Sequence, residues 1–151
     1  MKTGFIGAGK VGFTLGKFFA ENNIQVTGYY SRRKESAKDA AAFTGTTQYD
    51  SIGQLVQDSD AVFLTVPDSA ISSVFEELKE FDLTGRLICH CSGAMTAKEA
   101  FPGIKDTGAY GYSIHPLFPI HSKYDTYREL AGAFFCLEGD RFYIDYWYET
   151  L

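Results

Sequence analysis

The chain has 151 residues and a mass of 16.8 kDa, the usual size of one domain. Hydrophobic residues make up 45% and aromatic residues 16% of it, which excludes disordered, collagen-like and low-complexity proteins. Its net charge of −5 repels phosphate backbones and argues against nucleic-acid binding. It has neither an apolar run long enough to cross a bilayer nor a signal-peptide pattern, so we expect a cytoplasmic protein without membrane contact.

Apolar strands alternate with amphipathic helices along the first half of the chain, a pattern typical of a parallel sheet. Strands are predicted over 3–6, 25–30, 46–48 and 61–66, and helices over 10–21, 35–43 and 51–57. The helix over 10–21 is indicated by apolar residues that recur on one face. The strand over 61–66 is almost entirely apolar, as a strand covered on both faces should be.

The second half continues the same succession. A helix is marked by the apolar spacing from Ile71 to Leu78, and Thr96 with Glu99 matches a capping box at the start of another helix. Strands are predicted over 86–91, 109–115 and 133–137, with an irregular stretch over 116–131. The sequence therefore predicts a single α/β domain with a doubly wound, mostly parallel sheet.

Three cysteines, Cys89, Cys91 and Cys136, are an odd number without the spacing of a disulfide framework. Cys89-His90-Cys91 contains good zinc-ligand types, but alternation along a strand places His90 on the opposite face from the two thiols. We therefore expect no metal site and interpret the thiols as small apolar groups in a reducing compartment.

A glycine-rich loop lies between the first predicted strand and the first helix. It consists of Gly7, Ala8, Gly9, Lys10, Val11 and Gly12, and matches G-x-G-x-x-G. In that context the first glycine makes a tight turn, the second lets the backbone approach a pyrophosphate, and the third permits close helix–strand packing. The helix N-terminus adds free amides and a partial positive charge. The loop predicts a dinucleotide-binding site, with a glycine turn used only for packing as the alternative.

The end of the second strand indicates which dinucleotide is preferred. NAD-selective sites place an acidic residue about 20 residues beyond the loop, whereas this chain has Ser31, Arg32 and Arg33 there. A hydroxyl beside guanidinium groups suits a 2′-phosphate, so we expect NADP as the cofactor, with a solvated basic turn as the alternative. Val66, Pro67 and Asp68 follow the fourth strand, where open α/β sheets bind ligands, and we expect Asp68 to cap the next helix rather than to act in catalysis.

These motifs resemble those of a known group of enzymes. Gly7–Gly12, Ser31–Arg33 and 66–68 are similar to the nucleotide-binding domain of pyrroline-5-carboxylate reductase and the β-hydroxyacid dehydrogenases. The segments 91–94 and 113–117 more closely resemble Rossmann-like NADP oxidoreductases, often classed as deazaflavin-dependent, that carry a C-terminal helical domain of unknown function. The resemblance covers almost the whole chain, and only the N-terminal half of those proteins.

The resemblance implies a Rossmann domain over 1–139 and the start of a truncated helical substrate or dimerisation domain over 140–151. It also implies that Ser92 and His115 face the nicotinamide. Ser92 would hydrogen-bond the substrate or the nicotinamide amide, or it would only cap a turn. His115 would donate a proton, since imidazole titrates near neutral pH, or it would only bind a local backbone group.

We therefore expect an NADP-dependent oxidoreductase that transfers hydride to or from a small carbonyl or imine substrate. The alternative is a non-catalytic dinucleotide-binding sensor or interaction module. The C-terminal segment 141–151 is crowded with aromatic residues, and Asp140 is placed to cap a helix there. An exposed apolar segment of this kind predicts a homodimer through the C-terminal region, or loose order. The alternative is that it folds back and completes the core.

Overall fold

The computed structural model describes residues 1–151, which form seven strands and six α-helices with three short 3₁₀ turns. The strands are β1 (Lys2–Ile6), β2 (Gln25–Tyr30), β3 (Thr47–Gln48), β4 (Ala61–Leu64), β5 (Leu87–His90), β6 (Tyr110–Pro116) and β7 (Phe135–Gly139). The helices are α1 (Lys10–Glu21), α2 (Lys34–Thr44), α3 (Ile52–Asp58), α4 (Asp68–Leu78), α5 (Ala97–Ala100) and α6 (Ile144–Thr150). None of these helices is both long enough and apolar enough to span a membrane.

The strands form one sheet in the order β3-β2-β1-β4-β5-β6-β7. The first six strands are parallel, and β7 runs antiparallel to β6. The chain winds outward from β1 to β3 and then returns to β4 on the other side of β1, so the direction of winding reverses between β1 and β4. The predicted doubly wound, mostly parallel α/β fold is confirmed.

Two apolar cores cover the two faces of the sheet, which explains why the central strands are apolar throughout. Phe63 belongs to the core shared with α1, α2 and α6, and its neighbour Val62 belongs to the core shared with α3, α4 and α5. Alternation along a strand sends successive side chains to opposite faces. Cys89 and His90 of β5 follow the same rule, because Cys89 joins the first core and the His90 ring lies against Phe101 of the second.

Several element ends differ from the prediction for identifiable reasons. Strand β4 ends at Leu64 rather than at residue 66, and the next residue, Thr65, donates its hydroxyl to the Gly7 carbonyl at 2.8 Å. Strand β7 begins at 135 rather than at 133, because the Ala133 amide closes a 3₁₀ turn on the Leu130 carbonyl. Both ends depend on contacts outside the strand itself.

The C-terminal segment is packed on the sheet, but not as predicted at its start. Asp140 does not cap α6, because its carboxylate accepts the Gly111 amide at 2.9 Å and the helix begins only at Ile144. Trp147 is completely buried, so this part of the segment folds back and completes the core. Phe142 is 65% exposed and Tyr148 is 70% exposed, which leaves an apolar patch on the outer side.

Candidate dinucleotide-binding site

The three glycines of the loop after β1 have different environments. Gly7 has φ +105°, and a Cβ there would lie 2.5 Å from the Thr65 carbonyl oxygen, so this turn requires glycine. A Cβ on Gly12 would collide with the Thr65 side chain and with the Gly7 carbonyl, so Gly12 lets α1 pack against the loop after β4. A Cβ on Gly9 would meet no atom within 4 Å. Gly9 is therefore not needed for packing, and the space beside it is open.

The N-terminus of α1 presents unpaired backbone amides beside this open space. The first backbone hydrogen bond of the helix joins the Phe13 amide to the Gly9 carbonyl at 3.0 Å, and no side chain caps the helix. The amides of Lys10, Val11 and Gly12 consequently have no acceptor within the protein. Free amides and the helix dipole together favour an anion at this point.

A cavity of about 560 Å³ lies where the winding of the sheet reverses. It brings together eight of the predicted cofactor-binding residues: Gly7, Ala8, Gly9, Ser31, Arg32, Arg33, Val66 and Pro67. The other four predicted residues, Lys10, Val11, Gly12 and Asp68, do not line it. The ends of β1, β2 and β4 therefore converge on one cavity, as the carboxyl ends of strands do at a switch point of an open α/β sheet.

Sequence reasoning missed part of the cavity wall. Tyr30, Ser36, Ile52 and Thr65 line it beside the predicted residues, and helix α4 contributes a further face. Ile6 at the end of β1 also lines it. Ile6, Tyr30 and Thr65 carried a signal in the sequence, since each lies in the last two residues of a predicted strand next to a predicted site residue. The others come from α2, α3 and α4, and their approach depends on the order of the strands.

The basic turn after β2 divides its charges between the protein and the cavity. Lys34 forms an ion pair with Asp50 at 2.8 Å, and this contact raises the pKa of Lys34 and lowers that of Asp50. Arg32 and Arg33 are exposed and have no carboxylate within ion-pair distance. Helix α2 begins directly after Arg33 and also lacks a side-chain cap. Two free guanidinium groups and a second helix N-terminus thus lie at one end of the cavity.

The hydroxyl of Ser92 is held between two groups. Its Oγ donates to Asp68 Oδ2 at 2.8 Å and accepts the Ala94 amide at 3.1 Å. The prediction that Asp68 caps α4 is wrong, because Asp68 is the first residue of the helix, Pro67 precedes it as the cap residue, and no side chain caps the helix. By accepting the Ala94 amide, Ser92 caps the turn, as the alternative prediction stated. Its bond to Asp68 fixes the orientation of the hydroxyl proton.

The ring of His115 is anchored at one nitrogen. Its Nδ1 donates to the Cys91 carbonyl at 2.9 Å, which is the local backbone bond named as an alternative. A Cβ on Gly93 would lie 2.7 Å from Nε2, so glycine at that position leaves room for the ring. Neither Ser92 nor His115 lines the cavity. Ser92 follows the carboxyl end of β5, and His115 lies near the carboxyl end of β6. Both strands are on the opposite side of β4 from the basic turn, which follows β2.

His90 was not predicted to have any role, but it contacts this region. Its Nδ1 accepts the Ser92 amide at 3.2 Å, and its buried Nε2 has no hydrogen-bond partner. Burial lowers the pKa of His90, so the neutral ring that accepts this bond is the favoured form. Burial also raises the pKa of Cys91, to about 12, so its thiol stays protonated at neutral pH.

Comparisons with known proteins agree with this fold. The Rossmann-like domain family matches residues 1–116. No curated protein sequence matches the chain. An imine reductase from Bacillus cereus BAG3X2 is 22% identical, with a TM-score of 0.78 over 99% of this chain and 50% of its own. A pyrroline-5-carboxylate reductase from Coxiella burnetii is 17% identical, with a TM-score of 0.71 over 92% of this chain and 49% of its own.

A reductive aminase from Aspergillus terreus, in complex with NADPH and ethyl-5-oxohexanoate, is also similar. It is 17% identical, with a TM-score of 0.63 over 78% of this chain and 41% of its own. At these identities the likeness establishes the fold. The chain spans about half the length of these reductases or less.

Proposed function

Because the chain belongs to the Rossmann-like domain family, we propose that it binds NADP and forms the nucleotide-binding part of an oxidoreductase. One observation carries this proposal. The glycine loop, the basic turn and Val66–Pro67 line a single cavity although they are far apart in the sequence. The reductase structures that share the fold, one of them holding NADPH, are consistent with it.

The residues of the cavity fit a phosphorylated dinucleotide. The open space at Gly9 and the unpaired amides at the start of α1 would hold the pyrophosphate. Ser31, Arg32 and Arg33 would hold the 2′-phosphate, since their guanidinium groups are free of internal ion pairs and can bind phosphate through paired hydrogen bonds. At the end of the second strand, where an acidic residue usually binds the ribose of NAD, the cavity is lined by Ser31, Arg32 and Arg33 and by no carboxylate.

We propose hydride transfer between the nicotinamide and a small carbonyl or imine compound, a chemistry that the cofactor supplies when bound. His115 would exchange a proton with the substrate through Nε2, because its Nδ1 is fixed on the Cys91 carbonyl. Ser92 would act as an acceptor for an amide N–H group, because its own proton is donated to Asp68. Asp68 would thereby keep the hydroxyl in one orientation.

The test begins with binding. Isothermal titration with NADP⁺ and NAD⁺ should show tighter binding of NADP⁺, and NADPH oxidation should then be followed with small oxo acids, imines and oxidised deazaflavin. Binding with no turnover for any substrate, also in a full-length homologue, would favour the non-catalytic sensor or interaction module. If neither dinucleotide binds, both the oxidoreductase and the non-catalytic dinucleotide-binding module are excluded.

The exposed patch on the C-terminal segment supports a further proposal, that the chain forms a homodimer through this region. Phe142 and Tyr148 are largely exposed, and exposed apolar patches commonly mark interfaces. Replacing both with Ser should convert a dimer to a monomer in light scattering without unfolding the domain. A chain that is monomeric before the substitution contradicts the proposal.

A further inference from the structure

One wall of the dinucleotide cavity is a single face of helix α4. The residues that line it are Ala70, Ser73, Val74 and Glu77. Their spacing of three, one and three residues places them on one side of the helix. At 1.5 Å per residue, Glu77 lies about 10 Å along the axis from Ala70, whose amide donates to the Pro67 carbonyl in the loop after β4 at 2.8 Å. The cavity therefore continues along α4 well beyond the phosphate-binding loop.

Glu77 is the only carboxylate among the residues that line the cavity, and nothing in the protein engages it. Its side chain forms no ion pair and no hydrogen bond, whereas the adjacent Glu76 binds Lys79 at 2.6 Å. A carboxylate close to the phosphates would weaken the binding of a polyanion. Glu77 lies about two helical turns beyond Ala70, and we expect it to face a part of the ligand that carries hydrogen-bond donors.

An adenine dinucleotide offers few such donors. The ribose hydroxyl beside the 2′-phosphate is on the same sugar as this phosphate, so it would lie next to the arginines rather than next to Glu77. The remaining donor at this end of the molecule is the amino group of adenine. The walls suit a flat ring, since Val74 and Ile52 are apolar and the planar guanidinium of Arg32 or Arg33 can stack on an aromatic face.

We infer that Glu77 accepts the adenine amino group and makes the site selective for adenine over purines with an oxygen at that position. This inference rests on the proposed NADP binding. Hypoxanthine has an acceptor oxygen where adenine has an amino group. The Glu77 carboxylate, which also only accepts, would therefore face a second acceptor at that position. Ser73 plays no part as a donor, because its hydroxyl is already donated to the Ala70 carbonyl.

The experiment compares NADP⁺ with nicotinamide hypoxanthine dinucleotide phosphate by isothermal titration, so no turnover is needed. The unmodified chain should bind NADP⁺ about 10- to 150-fold more tightly, the range for losing a hydrogen bond to a charged group. The Glu77→Ala variant should bind the two ligands within about threefold of each other. Glu76→Gln is the matched control and should keep the full preference, because Glu76 does not line the cavity and pairs with Lys79 instead.

The outcomes separate the inference from the function on which it rests. Equal affinity of the unmodified chain for both ligands overturns the role of Glu77 while leaving NADP binding intact. A preference that survives in Glu77→Ala does the same and assigns the discrimination to another residue. Failure of the unmodified chain to bind NADP⁺ at all overturns the proposed function first, and the inference with it. Thermal melting of each variant shows whether the fold is retained.

Discussion

The preference for NADP should depend on Arg32 and Arg33 and not on the lysine that follows them. Both arginines line the cavity, and neither is engaged by a carboxylate in the free protein. Binding a 2′-phosphate therefore requires no internal ion pair to break. Lys34 carries the same charge at the next position, but it is held by Asp50 at 2.8 Å and does not line the cavity.

The expected magnitude follows from this arrangement. A hydrogen bond to a charged group contributes about 1.5–3 kcal/mol, so replacing either arginine with Ala should weaken NADP⁺ binding by about 10- to 150-fold. The double variant Arg32→Ala/Arg33→Ala should bind NADP⁺ and NAD⁺ equally. NAD⁺ binding itself should weaken by less than about tenfold, because NAD⁺ lacks the 2′-phosphate and would lose only the stacking of a guanidinium on its adenine.

The assay is isothermal titration of each variant with both dinucleotides at low and raised salt. Lys34→Ala serves as the control for a general loss of positive charge and should cost less than about threefold, as expected of an exposed charge outside the cavity. A loss of NADP⁺ affinity in Lys34→Ala as large as that in the arginine variants would contradict the assignment of the 2′-phosphate to Arg32 and Arg33. The assignment also fails if the unmodified chain binds NAD⁺ as tightly as NADP⁺.

Two further predictions concern the loop and the buried imidazole. Gly9→Val should abolish dinucleotide binding at an unchanged melting temperature, since the new side chain enters the open space beside the loop. Gly12→Val should instead lower the melting temperature, because a Cβ there collides with Thr65. A Gly9→Val variant that binds NADP⁺ with unchanged affinity contradicts the assignment of the phosphate site. Burial lowers the pKa of His90, so the unfolded chain takes up a proton more readily, and stability should fall as pH drops below about 6.5. The nearby His115 also lowers the pKa of His90, whereas the carboxylates of Glu138 and Asp68 act to raise it. The His90→Asn variant keeps an acceptor without titrating, and differential scanning calorimetry should show a smaller loss between about pH 7 and 5.5; an equal loss would assign the effect to other groups.

Much of the fold was predictable because its signals are local. Helix α1 begins at Lys10 and ends at Glu21 as predicted, since its apolar face and the glycine loop lie within one short stretch of sequence. The capping box at the start of α5 has both of its bonds, between Thr96 and Glu99. Gly45 ends α2 with φ +70°. Caps, turns and apolar periodicity involve residues within a few positions of each other, so the sequence alone determines them.

The local signals failed where a distant group offered a better partner. Asp140 and Asp68 each stand where a helix cap is expected, yet Asp140 binds the Gly111 amide and Asp68 binds the Ser92 hydroxyl. A carboxylate satisfies whichever donor the fold brings to it. Which donor that is depends on residues that are 24 and 29 positions away in the sequence.

The sequence by itself determined that this protein has a doubly wound α/β domain with a glycine-rich loop after the first strand and a basic turn after the second. Only the tertiary structure decided that the loop, the turn and one face of α4 enclose the same cavity, and that Ser92 and His115 lie outside it. It also decided that Trp147 is buried against Phe63 while Phe142 and Tyr148 remain exposed. The physical reason is that these arrangements follow from the order of the strands in the sheet, and strand order is set by long-range packing that leaves no mark on local periodicity.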